Sequence, residues 1–472
     1  MPVNPLFSWI AAPLGLVAAL GVIAAGQAPL EDIDLSAGAF TTTRADKQAY
    51  SEPAAVLDSR QRQLFMAGRS VFHRQWASVN SLNGDWGLGP TFIADRCSGC
   101  HVNTGRGKPP EAGEQMLSML VRISIPGSGD HGAPAPHPNY GDQLQNRALD
   151  GTHVDFAYAG APVPREADVY LDWEERRVTL PDGETVELRS PKLRIENPNF
   201  GPLGDDTATS VRIAQPIFGL GLLEAVPEQT LEDIARRQKA AGFNGRPNYV
   251  WDSINRRQAP GRFGWKANQP SLKQQIVTAA IGDMGVASRF FPDQNCPPVQ
   301  EICARHLPGN VPELGSSEID TLELWLRGLA VPARRNMRDP EVQKGERLFA
   351  QAQCSVCHVP ELKTGVSAQM RQLSNQAFRA YTDLLLHDMG EELADGRPDF
   401  LAGPRDWRTP PLWGLGLSQA VSGSTAMLHD GRARNVTEAI LWHGGEAAGS
   451  RAAFRNMEKK EREALVRFVE AI

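Results

Sequence analysis

The chain has 472 residues, 41% of them hydrophobic, with a formal net charge of −6 and a pI near 6.0. That length predicts two or three domains with ordinary cores. The 44 glycines and 35 prolines are interspersed with recurring aliphatics, which points to long ordered loops rather than disorder. A mildly acidic chain without a basic stripe excludes the footprint of a nucleic-acid-binding protein.

The N-terminus is apolar from Leu6 to Gly26. Residues 1–27 therefore read as a signal peptide or an N-terminal anchor, with Ala24, Ala25 and Gly26 offering small residues for cleavage. No Lys or Arg precedes this stretch, and no cysteine follows it that could carry a lipid. The reading is export to the periplasm, with membrane contact only through the N-terminus if it stays uncleaved. Residues 28–58 follow as an extended arm. The sequence "LFMAGRSVFHRQW" then predicts a helix with Gly68 and Phe72 one turn apart, and "CSGCH" follows at 97–101. From about 116 to 200 the pattern alternates as strands do, in "LVRISI" and "VYLDW", and "RRVTLPDGETVELR" reads as a hairpin around Pro181-Asp182-Gly183. Helical texture returns from Glu228. "EIDTLELWLRGL" places Leu322, Trp325, Leu326 and Leu329 on one stripe and ends a unit spanning 59–330.

After the linker "AVPARRN", a second unit at 337–472 repeats the scheme. Asp339 is a candidate N-cap and Pro340 suits the first helical position. Gly345 and Phe349 repeat the Gly/Phe pair, "CSVCH" follows at 354–358, and Leu465, Phe468, Val469 and Ile472 form the closing stripe.

The six cysteines fall into three pairs. In both C-x-x-C-H motifs, two thiols at this spacing can add to the two vinyl groups of one haem, and the adjacent histidine stands under the ring as the proximal ligand. A zinc site would need two such half-sites side by side, and a thioredoxin-like pair would open a helix after a βαβ strand. The reading is two covalently attached haem c groups, on Cys97, Cys100 and His101 and on Cys354, Cys357 and His358. Each motif is framed by an opening and a closing helix. The predicted fold class is therefore mainly α, with two cytochrome c-like haem domains, the N-terminal one enlarged by a β-strand insertion. Cys296 and Cys303, in "NCPPVQEICARH", lack a histidine at haem spacing and read as a local disulfide. Trp265, between Gly264 and Lys266, is a candidate electron relay or an ordinary core indole.

The segments "CSGCHVNTGRG", "FGLGLLEAVPE", "GRFGWKANQPSL", "TDLLLHDMG", "WRTPPLWGLG" and "LHDGRARNVTEAILWHGGEA" resemble the bacterial di-haem oxidoreductases labelled as peroxidases. Those proteins are relatives of di-haem cytochrome c peroxidases and of the methylamine-utilisation di-haem enzyme. The resemblance spans nearly the whole chain after residue 60. It implies that His443, at the end of the helix after the "HDG" turn, is the second ligand of the C-terminal iron, His358 being the first. Met427 is the alternative, and His429 is expected to pair with Asp430 in the turn. The N-terminal haem has no histidine as well placed. His73, His131, His137 and His153 read as surface or structural residues and Met284 as packing, so the His101 iron is expected to be open. The resemblance also implies a glutamate over that haem, and Glu224, a carboxylate in an apolar stretch, is the candidate acid–base group. Arg106, Lys108, Arg262, Lys266 and Arg432 are candidates for haem propionates or for solvated charges. Some relatives carry calcium between the domains, which remains an open possibility here.

Together these readings predict an exported di-haem c oxidoreductase. Electrons from a small electron-transfer protein or a quinol-linked donor would enter at the C-terminal bis-histidine haem. Peroxide or another small oxidant would be reduced, or a substrate oxidised, at the N-terminal open haem. The alternative is a non-enzymatic di-haem electron-transfer cytochrome.

Overall fold

The computed structural model describes residues 31–77, 85–149, 162–305 and 312–472. The N-terminal apolar stretch, His153 and His306 lie outside them.

In chain order, helix α1 (Ser59–His73) starts where the Asp58 side chain accepts the backbone N–H of Gln61. Strands β1 (Met119–Ser128), β2 (Asp168–Thr179), β3 (Thr185–Glu196) and β4 (Ala208–Ile213) follow. Next come helices α2 (Leu220–Glu224), α3 (Glu228–Ala240), α4 (Leu272–Met284) and α5 (Ser316–Gly328). The C-terminal part contributes α6 (Pro340–Gln351), α7 (Val436–Trp442) and α8 (Lys459–Ala471). α6 begins with Asp339 as N-cap and Pro340 as first residue. The missing amide of proline costs nothing there, because first-turn amides have no helical partner.

Two helix crossings organise the molecule. α1 packs on α5, and α6 packs on α8. Glycine sits at each crossing because nothing larger fits. A Cβ on Gly68 would lie 2.1 Å from the carbonyl oxygen of Thr321, and one on Gly345 would lie 2.0 Å from that of Ala464. The phenylalanine one turn later then meets the closing helix, Phe72 against Trp325 at 4.4 Å and Phe349 against Phe468 at 5.4 Å between ring centres. All eight residues of the two closing stripes are buried.

The chain is not mainly α. Helix makes up 34% and strand 21%, so the fold is mixed α/β. The β texture reaches past 200, because β1 pairs antiparallel with β4 from Met119↔Ile213 to Ser124↔Ala208. The hairpin around Pro181-Asp182-Gly183 joins β2 to β3 in register from Asp168↔Glu196 to Thr179↔Thr185. Short two- and three-residue pairings add strand in the loops, such as Leu386–Asp388 with Asp406–Arg408. Those loops carry too few residues each to show a period in the sequence.

The stretch from Glu31 to Asp58 is tied to both halves. Thr41–Thr42 pairs in parallel with Val331–Pro332, Phe40 and Tyr50 are fully buried, and the Tyr50 hydroxyl donates to the Gly414 carbonyl at 2.6 Å.

Candidate functional site

Each C-x-x-C-H motif opens onto a cavity. The N-terminal one, of about 280 Å³, is lined by Cys97, Cys100 and His101 with Phe72, Phe218, Phe263 and Met284. The C-terminal one, of about 170 Å³, is lined by Cys354, Cys357 and His358 with Phe349, Met427, Leu465 and Val469.

The two histidines are held alike. His101 Nδ1 lies 2.7 Å from the carbonyl of Gln215, and His358 Nδ1 lies 2.9 Å from that of Tyr381. A carbonyl at Nδ1 fixes the tautomer and ring plane and leaves Nε2 as a ligand. Burial lowers both imidazole pKa values, that of His358 to about 4, so the rings are neutral, as metal ligation requires. The thiols are not redox-active thiolates. Burial raises Cys97, Cys100 and Cys354 to about 12, and the four motif cysteines are unpaired.

The distal sides differ. Four histidines line the C-terminal cavity: His358, His387, His429 and His443. His387 has both ring nitrogens engaged, Nε2 with Asp383 at 2.8 Å and Nδ1 with Glu446 at 3.1 Å. His429 stacks on Trp407 and pairs through Nε2 with Asp430 at 3.1 Å. His443 remains. It follows α7, its Nδ1 lies 2.7 Å from the Ala439 carbonyl, and burial lowers its pKa. His358 and His443 thus face one cavity with matching anchors and free Nε2 atoms.

Among the described residues, His101 is the only histidine lining the N-terminal cavity. His73 and His131 are exposed, and His137 is buried with its ring bonded to Leu203 and Asn139. Met284, at the end of α4, does line the cavity. Glu224 does not. Its carboxylate takes Arg327 Nε at 2.7 Å and the Leu272 amide at 2.8 Å, so it tethers α2 to α5 and to the start of α4. An apolar neighbourhood in sequence marked Glu224, but the cost of burying it is met by a partner cation and a helix amide. Asp283, one residue before the end of α4, is the carboxylate lining the cavity. Its carboxyl accepts Gln143 Nε2 at 2.9 Å, and burial raises its pKa. Its signal in the sequence was a lone acid in "IVTAAIGDMGV".

The basic candidates separate by partner. Lys108 is exposed and pairs with Glu111, Lys266 is locked to Asp395 at 2.8 Å, and Arg432 to Asp430 at 2.6 Å. Arg106 and Arg262 are buried in the wall of the N-terminal cavity without an ion pair among the described residues, where Arg106 Nε and Arg262 Nη1 also have no hydrogen-bond partner. Arg408, not foreseen from the sequence, is also buried without a carboxylate in ion-pair range among the described residues. Burial lowers all three to about 10. Buried, uncompensated guanidinium groups call for an anion. Arg106, Arg408, Trp265, Pro410, Pro411 and Leu415 line both cavities and form a shared wall. Trp265 is fixed there by its indole N–H donating to the Ile213 carbonyl at 2.8 Å.

Paired thiols, a neutral anchored histidine, an apolar cavity and carboxylate-seeking arginines fit a haem at each motif. A family model described as "Di-haem oxidoreductase, putative peroxidase" matches residues 31–472. The chain belongs to this di-haem oxidoreductase family. Haem is accordingly the family's cofactor. A search of curated proteins found no match. A solved structure titled "Kuenenia stuttgartiensis Hydrazine Synthase Pressurized with 20 bar Xenon" aligns over 99% of this chain and 100% of its own, at 12% identity and a TM-score of 0.36. Cys296 and Cys303 lie at disulfide distance, with Cα atoms 5.7 Å apart. No described helix is long and apolar enough to cross a membrane.

Proposed function

We propose that this di-haem oxidoreductase is an exported, periplasmic c-type enzyme with unequal sites. The C-terminal site, ligated by His358 and His443, takes electrons from a small electron-transfer protein or a quinol-linked donor. The N-terminal site, ligated by His101 alone, reduces peroxide or another small oxidant, or oxidises a substrate. One observation carries the reading: among the described residues, two anchored histidines with free Nε2 atoms line one cavity, and a single histidine lines the other. When bound, a haem at each motif would supply one-electron chemistry, held by His101 in one cavity and by His358 and His443 in the other.

The chain's own residues do the rest. Cys97, Cys100, Cys354 and Cys357 would hold the groups covalently, Arg106 and Arg262 would pair with propionates, and Trp265, in the shared wall, would serve as the relay. We assign proton transfer to Asp283 rather than to Glu224, because only Asp283 lines the N-terminal cavity. The Cys296–Cys303 disulfide suits an oxidising compartment.

A second reading, a non-enzymatic electron carrier, is favoured by Met284, whose side chain lines the N-terminal cavity as a possible sixth ligand. Ferric electron paramagnetic resonance with carbon monoxide binding to the ferrous protein separates the two. The enzyme gives one high-spin and one low-spin signal and binds carbon monoxide at one site. His443→Ala then converts the low-spin signal to high-spin. Two low-spin signals inert to carbon monoxide support the carrier.

A further inference from the structure

A hydrogen-bonded connection links the two proximal histidines through the shared wall. His101 Nδ1 meets the Gln215 carbonyl at 2.7 Å, and the side-chain oxygen of the same Gln215 accepts Arg408 Nη2 at 2.8 Å. Arg408 Nη1 donates to the Thr409 carbonyl at 3.3 Å, which also accepts the Thr382 hydroxyl at 2.6 Å. Thr382 directly follows Tyr381, whose carbonyl holds His358 Nδ1 at 2.9 Å. Arg408 Nε is fixed by the Gly264 carbonyl at 2.9 Å, and the Arg408 amide donates to the Trp265 carbonyl at 2.9 Å. One guanidinium therefore places three donors on three neutral acceptors, a fork geometry that lysine cannot copy. Thr382, Tyr381, Arg408 and Thr409 are all buried.

We propose that Arg408 is a positioning residue that couples the two haem sites, so that a single buried cation sets the reduction potentials of both. The proposal rests on the di-haem reading and deepens it. The charge is 3% exposed, lines both cavities, and has no carboxylate within ion-pair distance among the described residues. A buried cation is poorly screened and favours an added electron on either side of it. Through Gln215 and Thr409 it also fixes the carbonyls and loops that orient the two imidazoles, the usual route by which outer groups tune a metal.

The test is an optical redox titration of the purified holoprotein, after haem content by pyridine haemochrome. A wild type carrying no haem overturns the di-haem reading itself. With two haems bound, Arg408→Gln is expected to lower both midpoint potentials, and Arg408→Lys, which keeps the charge but not the fork, to restore only part of the shift. Gln215→Met cuts the connection on one side and is expected to move the N-terminal potential alone. An Arg408→Gln protein with two haems and unchanged potentials, or a shift at one site only, overturns the coupling. If Arg408→Gln fails to retain haem, Gln215→Met decides: a shift confined to the N-terminal site supports the coupling, and no shift or an equal shift at both sites overturns it.

Discussion

Replacing Glu224 and Asp283 one at a time separates a carboxylate that holds helices from one that handles protons. Glu224→Gln removes a charge that accepts two bonds from Arg327, at 2.7 and 3.3 Å, in a pair only 10% and 15% exposed. Breaking a fully buried pair costs about 3–5 kcal/mol, because a charge is left uncompensated. Arg327 here keeps Glu323 at 2.7 Å, and glutamine still offers an oxygen to the Leu272 amide. The loss should therefore be nearer that of one charge-assisted hydrogen bond, about 2 kcal/mol. In a chain of this size that lowers the thermal midpoint by a few degrees. Peroxide turnover per haem should stay near wild type. Asp283→Asn should do the reverse: the amide is isosteric and can still face Gln143, so the midpoint barely moves. Turnover, deprived of its proton carrier, should fall by about 10²–10⁴. The assay is a melt of the holoprotein beside peroxide consumption normalised to haem. A Glu224→Gln protein with wild-type melting and no turnover would refute the assignment, as would an Asp283→Asn protein that turns over normally.

Two further predictions concern packing and pH. Gly345→Ala places a methyl 2.0 Å from the Ala464 carbonyl oxygen and 2.7 Å from Phe468 Cβ, so α6 must lift from α8. The overpacking cost of about 1–3 kcal/mol exceeds the roughly 1 kcal/mol that alanine gains in a helix, and the melting midpoint should fall. Gly449→Ala, with nothing within 4 Å of its added carbon, is the control and should not destabilise; equal melts would show that the crossing is not tight. Glu166, 1% exposed, has its pKa raised by burial from 4.5 to about 8, against donors from Gln145 and Gln300. The folded state thus keeps a proton that the unfolded state releases above about 4.5, so stability falls as pH rises from there through 8. The gap between the two values, at about 1.36 kcal/mol for each pH unit, amounts to several kcal/mol at most. Melts of wild type and Glu166→Gln between pH 5 and 8 should converge in slope only if Glu166 carries no such proton.

The haem motifs and their framing helices were legible because their signals are local. A C-x-x-C-H unit carries its own chemistry, and the Gly68/Phe72 and Gly345/Phe349 pairs carry helical spacing that the structure uses directly. His443 was singled out by the resemblance, which implies a ligand at the end of the helix after the "HDG" turn, and the structure places it in the wall of the C-terminal cavity. The class of fold was misread because much of the strand lies in brief pairings, and because β4 closes on β1 from beyond the predicted insertion. Glu224 was singled out, and Asp283 overlooked, for a related reason. Burial of an acid can be suspected from apolar neighbours, but its partner cannot: Arg327 lies 103 positions away from Glu224. Arg408 gave no signal at all, since an arginine in a Pro-rich loop is ordinarily solvated.

The two halves use the same scaffold and depart from each other at one place in it. In both, an opening helix, a C-x-x-C-H turn, a carbonyl on the proximal Nδ1 and a closing helix recur in the same chain order. Each half also brings a helix end to its cavity, α4 ending in Met284 and α7 followed by His443. Under the proposed reading, the difference between the two sites comes down to what stands at one helix end. The thioether of methionine is a weaker ligand than imidazole, and Asp283 next to it brings a carboxyl group that α7 does not supply to its cavity. The β insertion enters only the N-terminal half, between the haem motif and Gln215, and β1 and β4 supply Met119, Arg122, Arg212 and Ile213 to that cavity's wall. The module that was enlarged is therefore the one whose cavity has a single histidine among the described residues. That is the expected division of labour if one site passes electrons and the other meets the oxidant.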